Sequence, residues 1–186
     1  MSAILLNAPA FEPVTLEDAK AFLRVEHDDD DDAIAALIAA ARIHVEAQTH
    51  RALITQSWRL TRDAWPADGR IDVRPSPLQS LDVVRVYDGD GEAAVLDLQS
   101  FIVDTANAAL VFAPWSPVQP GRAAAGIEFD LTCGYGDDPD DVPEPLRQAI
   151  RMMVAHWYDN RAAAERTAML PAGVATLVAP YREVAL

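Results

Sequence analysis

"GIEFDLTCGYG", residues Gly126 to Gly136, alternates Ile127, Phe129, Leu131 and Cys133 with Glu128, Asp130 and Thr132. Successive side chains of a strand point to opposite faces, so this spacing predicts a strand with one buried face and one wet face. It decides between an all-helical chain and a mixed one. Shorter runs of the same type precede it: "SWRLTR" from Ser57, "RIDVR" from Arg70, "LDVVRVYD" from Leu81, "FIVD" from Phe101 and "ALVF" from Ala109. Turn signals separate them at Asp68-Gly69, Asp88-Gly89-Asp90-Gly91, Asn107 and the Pro/Gly-rich stretch from Pro114 to Gly126.

Both flanks of this block read as helices. Thr15 can cap a first helix, with Asp18 three residues on and Leu16, Ala19, Phe22 and Leu23 on its apolar side. Ile34, Leu37, Ile38, Ala41 and Val45 form the amphipathic stripe of a second. Its start is "DDDDD", Asp28 to Asp32, where carboxylates meet the positive end of the helix dipole and can cap free N–H groups. A third helix opens near Pro143 and Pro145, both tolerated in a first turn, and carries Leu146, Ile150, Met153, Val154 and Trp157 on one stripe. A short fourth fits between Pro171 and Pro180, with Val174, Leu177 and Val178 inward. The expectation is an α+β fold in which an antiparallel β-rich block, residues 57–136, is inserted between helical parts at 1–56 and 137–186. Its core is expected to include Leu23, Ile34, Leu37, Ile38, Leu146, Ile150, Met153 and Trp157.

At 186 residues, 51% of them apolar, the chain can bury roughly 70% of its unfolded surface in one core or a core with an insertion. No apolar run reaches membrane-spanning length, and "MSAILLNAPAFEP" lacks the basic start of a signal peptide. The single cysteine, Cys133, fits a reducing compartment, and the cytoplasm is the expected place of synthesis and assembly. Fifteen basic residues against 29 acidic ones leave a net charge of −14, and only Lys20 is a lysine. Such acidity repels phosphate and argues against sequence-specific DNA binding.

Chemistry-like motifs reduce to plainer readings. "DGDGE", Asp88 to Glu92, resembles a calcium loop, but Ala93 stands where the sharp turn needs glycine and Gln99 where a bidentate glutamate is needed. It reads as a hairpin turn. "DDDDD" reads as a capping, solvated acidic face, and "DDPDD", Asp137 to Asp141, as a charged loop before the third helix. His44 and His50 are six apart and share no helix face; there is no G-x-S-x-G, and no glycines precede Lys20 as a phosphate loop would require. Cys133 lies on the inward face of its strand and reads as an inert core thiol. In "MMVAHWYDNR", Met152 to Arg161, Met153, Val154 and Trp157 prolong the third helix's stripe, and Tyr158 is placed to stack with Arg161. No nucleophile there is paired with a base and its orienter. No catalytic residue, metal site or cofactor is expected.

"VPEPLRQAIRMMVAHWYDNR", from Val142, closely resembles the late helix of the head–tail connector (adaptor) proteins of long-tailed phages. "LEDAKAFLRVEHDDDDDAIAALIAAARIHVEAQTHRAL", from Leu16, is similar to that family's opening helix pair. Trp58, Trp65-Pro66, "RPSPLQSLDVVRVYDGDG" and "TCGYG" fall in its order, and "LPAGVATLVAPYR" is similar to its closing segment. The resemblance runs from about residue 12 to 182 and includes the adaptor of gene transfer agents, phage-derived particles.

That resemblance implies a structural protein of the particle neck, a ring of typically twelve copies beneath the portal that extends the DNA channel toward a stopper or tail-side protein. Double-stranded DNA would pass without sequence-specific binding. Twelve copies at −14 each give a ring of roughly −170 along which DNA slides if the acidic faces, with Asp28, Asp29, Asp30, Asp31 and Asp32 as the expected channel-facing residues, point into the channel. The C-terminal segment, with Pro180, Tyr181, Arg182, Val184 and Leu186, is the expected portal-docking element. A proline ends the last helix there, and a tyrosine and an arginine with apolar neighbours are favoured interface anchors. The alternative for this tail is that Tyr181 and Leu186 fold back onto the protein's own helices. Two other functions fit the residues less well: an adaptor of a non-viral cellular complex, and a metal-dependent hydrolase built from the aspartates.

Overall fold

The computed structural model describes residues 2–113, 117–160 and 171–182. Among the described residues four helices and antiparallel sheets give an α+β fold, and the chain divides into two compact units: Met1–Pro9 with Thr55–Tyr135, and Ala10–Ile54 with Gly136–Leu186.

The first unit is all β. Its strands are β1 (Ser2–Asn7), β2 (Gln56–Arg62), β3 (Arg70–Asp72), β4 (Leu78–Tyr87), β5 (Ala93–Val95), β6 (Phe101–Asp104), β7 (Ala109–Phe112) and β8 (Ile127–Cys133). One sheet runs β1-β2-β8-β4-β5 and a second β3-β7-β6. The alternating strand β8 lies at the centre of the first: β2 pairs with it from Gln56↔Cys133 to Arg62↔Ile127, and β4 flanks its other side. Ile127, Phe129, Leu131 and Cys133 are each 0% exposed, as their spacing predicts. Trp65 packs edge-on to Phe129 and Phe112, with ring centroids 5.8 and 4.9 Å away. On the other face of β8, Asp130 accepts from Arg59 Nε and Nη2, at 2.6 and 2.9 Å, and from Arg85 Nη1 at 2.6 Å. The Arg59 guanidinium, aided by that of Arg85, holds the Asp130 carboxyl below the usual carboxylate range. "DGDGE" is the β4–β5 turn, closed by Asp88 accepting from the amides of Asp90 and Glu92 at 3.0 and 2.9 Å.

Residues 1–56 were expected in the helical part, but Ser2–Asn7 is the strand β1, paired antiparallel with β2. The sequence signal is weak because "SAILLN" neither alternates nor is bounded by a turn, and every residue of β1 is exposed. An edge strand with no buried face leaves no period to read.

Cys133 sits at the end of β8, where burial and then the nearby Asp82 push its thiol up to about 12. Only a thiolate attacks alkylating reagents. The native protein is therefore expected to resist iodoacetamide at neutral pH and to label only at the rate of global unfolding, as followed by mass spectrometry in a denaturant series. Labelling that is fast in native buffer would contradict this burial.

The second unit is helical: α1 (Leu16–Leu23), α2 (Asp31–Thr49), α3 (Glu144–Asp159) and α4 (Ala172–Val178). Thr15 caps α1, its Oγ1 accepting from the Asp18 amide at 3.1 Å. α1 and α2 end on Arg24 and His50 in the left-handed region, φ 60° and 56°. Ile34, Ile38, Ala41 and Val45 of α2 bury with Leu146, Ile150, Met153 and Val154 of α3 and Val174 and Val178 of α4, all at 2% exposure or less. Leu23, Leu37 and Trp157, expected in this core, are only half-buried, and Phe22 is exposed. α1 has eight residues, so Leu23 falls in its last turn beside the turn to α2. Trp157 is too large to submerge at the helix edge and meets His44 edge-on, centroids 6.3 Å apart. Among the described residues no helix is long and apolar enough to cross a membrane.

Candidate assembly surfaces

The aspartate run is not one solvated cap. Asp30 is the N-cap of α2, yet its side chain makes no capping bond. Its carboxylate instead accepts from the Tyr158 hydroxyl at 2.6 Å, tying the start of α2 to the end of α3. Asp28 and Asp31 both accept from Lys20 Nζ at 2.6 Å. The Lys20 ammonium is raised by these bonds, first Asp28 and then Asp31, and Lys20 in turn lowers the Asp28 carboxyl. A turn of seven residues, 24–30, brings the end of α1 back to the start of α2, and this places the chain's only lysine against the acids. Asp29 and Asp32 are exposed. The five carboxylates therefore serve three different roles, which a run of identical letters cannot reveal.

"MMVAHWYDNR" ends α3 as a packing segment. Tyr158 goes to Asp30; Arg161, its expected stacking partner, lies outside the described residues. Asn160 Nδ2 donates to the His156 carbonyl at 2.7 Å, closing the helix. In "DDPDD" a 3₁₀ turn forms at Pro139–Asp141, with Asp140 accepting from Arg147 Nη1 at 2.6 Å and the Asp138 amide donating to Asp141 at 3.1 Å.

The tail residues within the described part return to the C-terminal end of α2 and the residues just after it. Pro180 and Tyr181 lie in a 3₁₀ turn after α4. Arg51 Nε donates to the Tyr181 carbonyl at 2.9 Å, and Arg182 Nη2 donates to Gln48 Oε1 at 2.6 Å. Tyr181 is half-buried, whereas Pro180 and Arg182 are exposed. Val184 and Leu186 lie outside the described residues.

Sequence reasoning missed a buried clamp beneath these surfaces. Arg42, 8% exposed, donates to Glu12 and to Glu46, each at 2.8 Å, and Glu46 also accepts from the Leu53 amide at 2.9 Å. The available signal was an arginine between Ala41 and Val45 of the apolar stripe with a glutamate four residues on.

The family model described as "Phage gp6-like head-tail connector protein" matches residues 13–90, from the cap of α1 through β4. Among curated proteins, none matches the sequence. Solved structures align over the whole chain. A chain from the neck of an empty gene transfer agent (GTA) particle, computed with C6 symmetry, superimposes at a TM-score of 0.84 and 23% identity, covering 100% of this chain and 97% of that one. The fold is that of a GTA neck protein. A chain from the virion of a native GTA particle gives the same TM-score at 22% identity, and one from the neck of a native particle computed with C12 symmetry gives 0.77 at 24%, with the same coverage. Because the neck fold covers both units, the β block is part of that fold rather than an addition peculiar to this chain.

Proposed function

We propose that the protein is a structural adaptor of a phage-like particle, a ring-forming connector in the neck that sits against the portal and carries the DNA channel toward a stopper or tail-side protein. The observation that carries this reading is superposition of the entire chain, both units together, on neck chains of GTA particles. The connector match over α1, α2 and the first half of the β block supports it independently. The surface chemistry agrees: Asp29 and Asp32 project exposed from a chain of net charge −14, which suits a channel that must not hold DNA. A structural rather than catalytic role also fits the fate of the carboxylates, since those of Asp28, Asp30 and Asp31 are held by Lys20 and Tyr158.

The direct test is co-expression with a portal protein of such a particle, followed by electron microscopy of the purified complexes. A ring of this protein under the portal is the expected result. Its absence from particle necks would remove the reading.

Assembly is expected to depend on salt. Copies each carrying −14 repel one another, and this repulsion is screened over about 8 Å at physiological ionic strength. The isolated protein should scatter light as a monomer or weak oligomer at low salt and associate more as salt rises. A ring of pure protein that is stable and indifferent to salt would contradict this.

A further inference from the structure

The five-stranded sheet leaves two edges open, β1 on one side and β5 on the other. Natural sheets guard such edges with charge, proline or bulges, because unpaired N–H and C=O groups recruit another strand. Here neither edge carries a charge or a proline; the protection left is an irregularity at the end of β1 and the shortness of β5, three residues long. β1 reads "SAILLN" and β5 "AAV", without a charged residue in either, in a chain with 29 acids; charge resumes only at Glu92 and Asp97. Ile4 is 51% exposed, Leu6 40% and Val95 68%. The register of β1 on β2 shifts only between Leu5 and Asn7, which leaves Ser2 to Leu5 regular.

We infer that β1 of one copy pairs with the β5 edge of the next copy, so that the sheets of neighbouring subunits join into one continuous ladder around the ring. This rests on the ring reading above and names the contact that makes the ring. Three observations select a second copy as the occupant. A rotational ring repeats one heterologous contact, so each copy must present two different, complementary patches on opposite sides. The two edges of one sheet, four strand spacings or roughly 19 Å apart, are such a pair. Successive antiparallel pairing makes β1 and β5 run in the same direction, so the same rotation that relates two copies sets these edges as a parallel pair. Finally, repulsion between acidic chains is least where both surfaces are uncharged, and no carboxylate of either strand needs to lose water there.

The test uses full-length chains with the portal. One variant carries Ile4→Glu and Leu6→Glu, the other Val95→Glu. These side chains are exposed, so both variants should melt with wild type. Each variant alone should fail to form rings by negative-stain microscopy, while an equimolar mixture should give one-to-one heterodimers by cross-linking, because one intact edge of each kind remains. Rings from either variant alone, a mixture that stays monomeric, or β1-to-β1 dimers of Val95→Glu would overturn the inference while leaving the ring reading intact. Wild-type protein that makes no ring on the portal would overturn both.

Discussion

Deletion of Pro180 to Leu186 is expected to leave the fold standing and to abolish entry of the protein into the neck. Val174 and Val178, the residues through which α4 packs, precede the cut and stay in place. Within the described residues the deletion removes the hydrogen bond from Arg51, just past the end of α2, to the Tyr181 carbonyl and that from Arg182 to Gln48 of α2. Each is worth about 0.5–1.5 kcal/mol net, so the melting temperature should fall by only a few degrees. Assembly should respond far more if Tyr181 and Arg182 anchor the portal contact, as the resemblance to connector proteins implies. The fold-back on α2 does not oppose this: it orders the turn and leaves the Arg182 side chain exposed, so the element is set before it docks. Thermal melts and co-purification with the portal must both be measured. A truncated protein that melts normally and still joins the portal would place the docking surface elsewhere, and one that no longer folds would assign the tail to stability alone.

The largest single-residue loss of stability is expected from Phe129→Ala. Phe129 lies at the centre of the five-stranded sheet, is 0% exposed and carries the edge of Trp65 at 5.8 Å. Truncation leaves a cavity that neighbouring strands cannot close, at about 3–5 kcal/mol. Trp157→Ala should cost roughly half as much, because Trp157 is only half-buried and part of its ring already faces water. Replacing Asp28 to Asp32 with asparagine takes the charge out of the Lys20 clasp, while asparagine can still accept hydrogen bonds from Lys20 and Tyr158. That variant should melt above Phe129→Ala and close to Trp157→Ala. Denaturant unfolding of the three variants gives the order. If the asparagine variant proves the least stable, the acidic run supports the fold through more than Lys20 and Tyr158.

Much of the architecture was legible before any coordinates. The period of two in Ile127 to Cys133, the stripes of α2 and α3 and the cap at Thr15 are local signals, set by the geometry of a single element and by the need to bury one face of it. For the same reason the hairpin at Asp88 to Glu92 and the inert Cys133 could be read directly. β1 could not, because a strand exposed on both faces carries no period, and its assignment depends on β2, some fifty residues away. Nor could the clasp of Lys20, the Asp30–Tyr158 bond or the Arg42 clamp. Each joins side chains brought together by packing rather than by spacing, Tyr158 and Asp30 across 128 residues. The sequence by itself determined the elements, their order and the acidity of the chain. Only the tertiary structure decided which carboxylates are engaged, where the tail lies and which sheet edges stay open, because these depend on long-range contacts that no local pattern encodes.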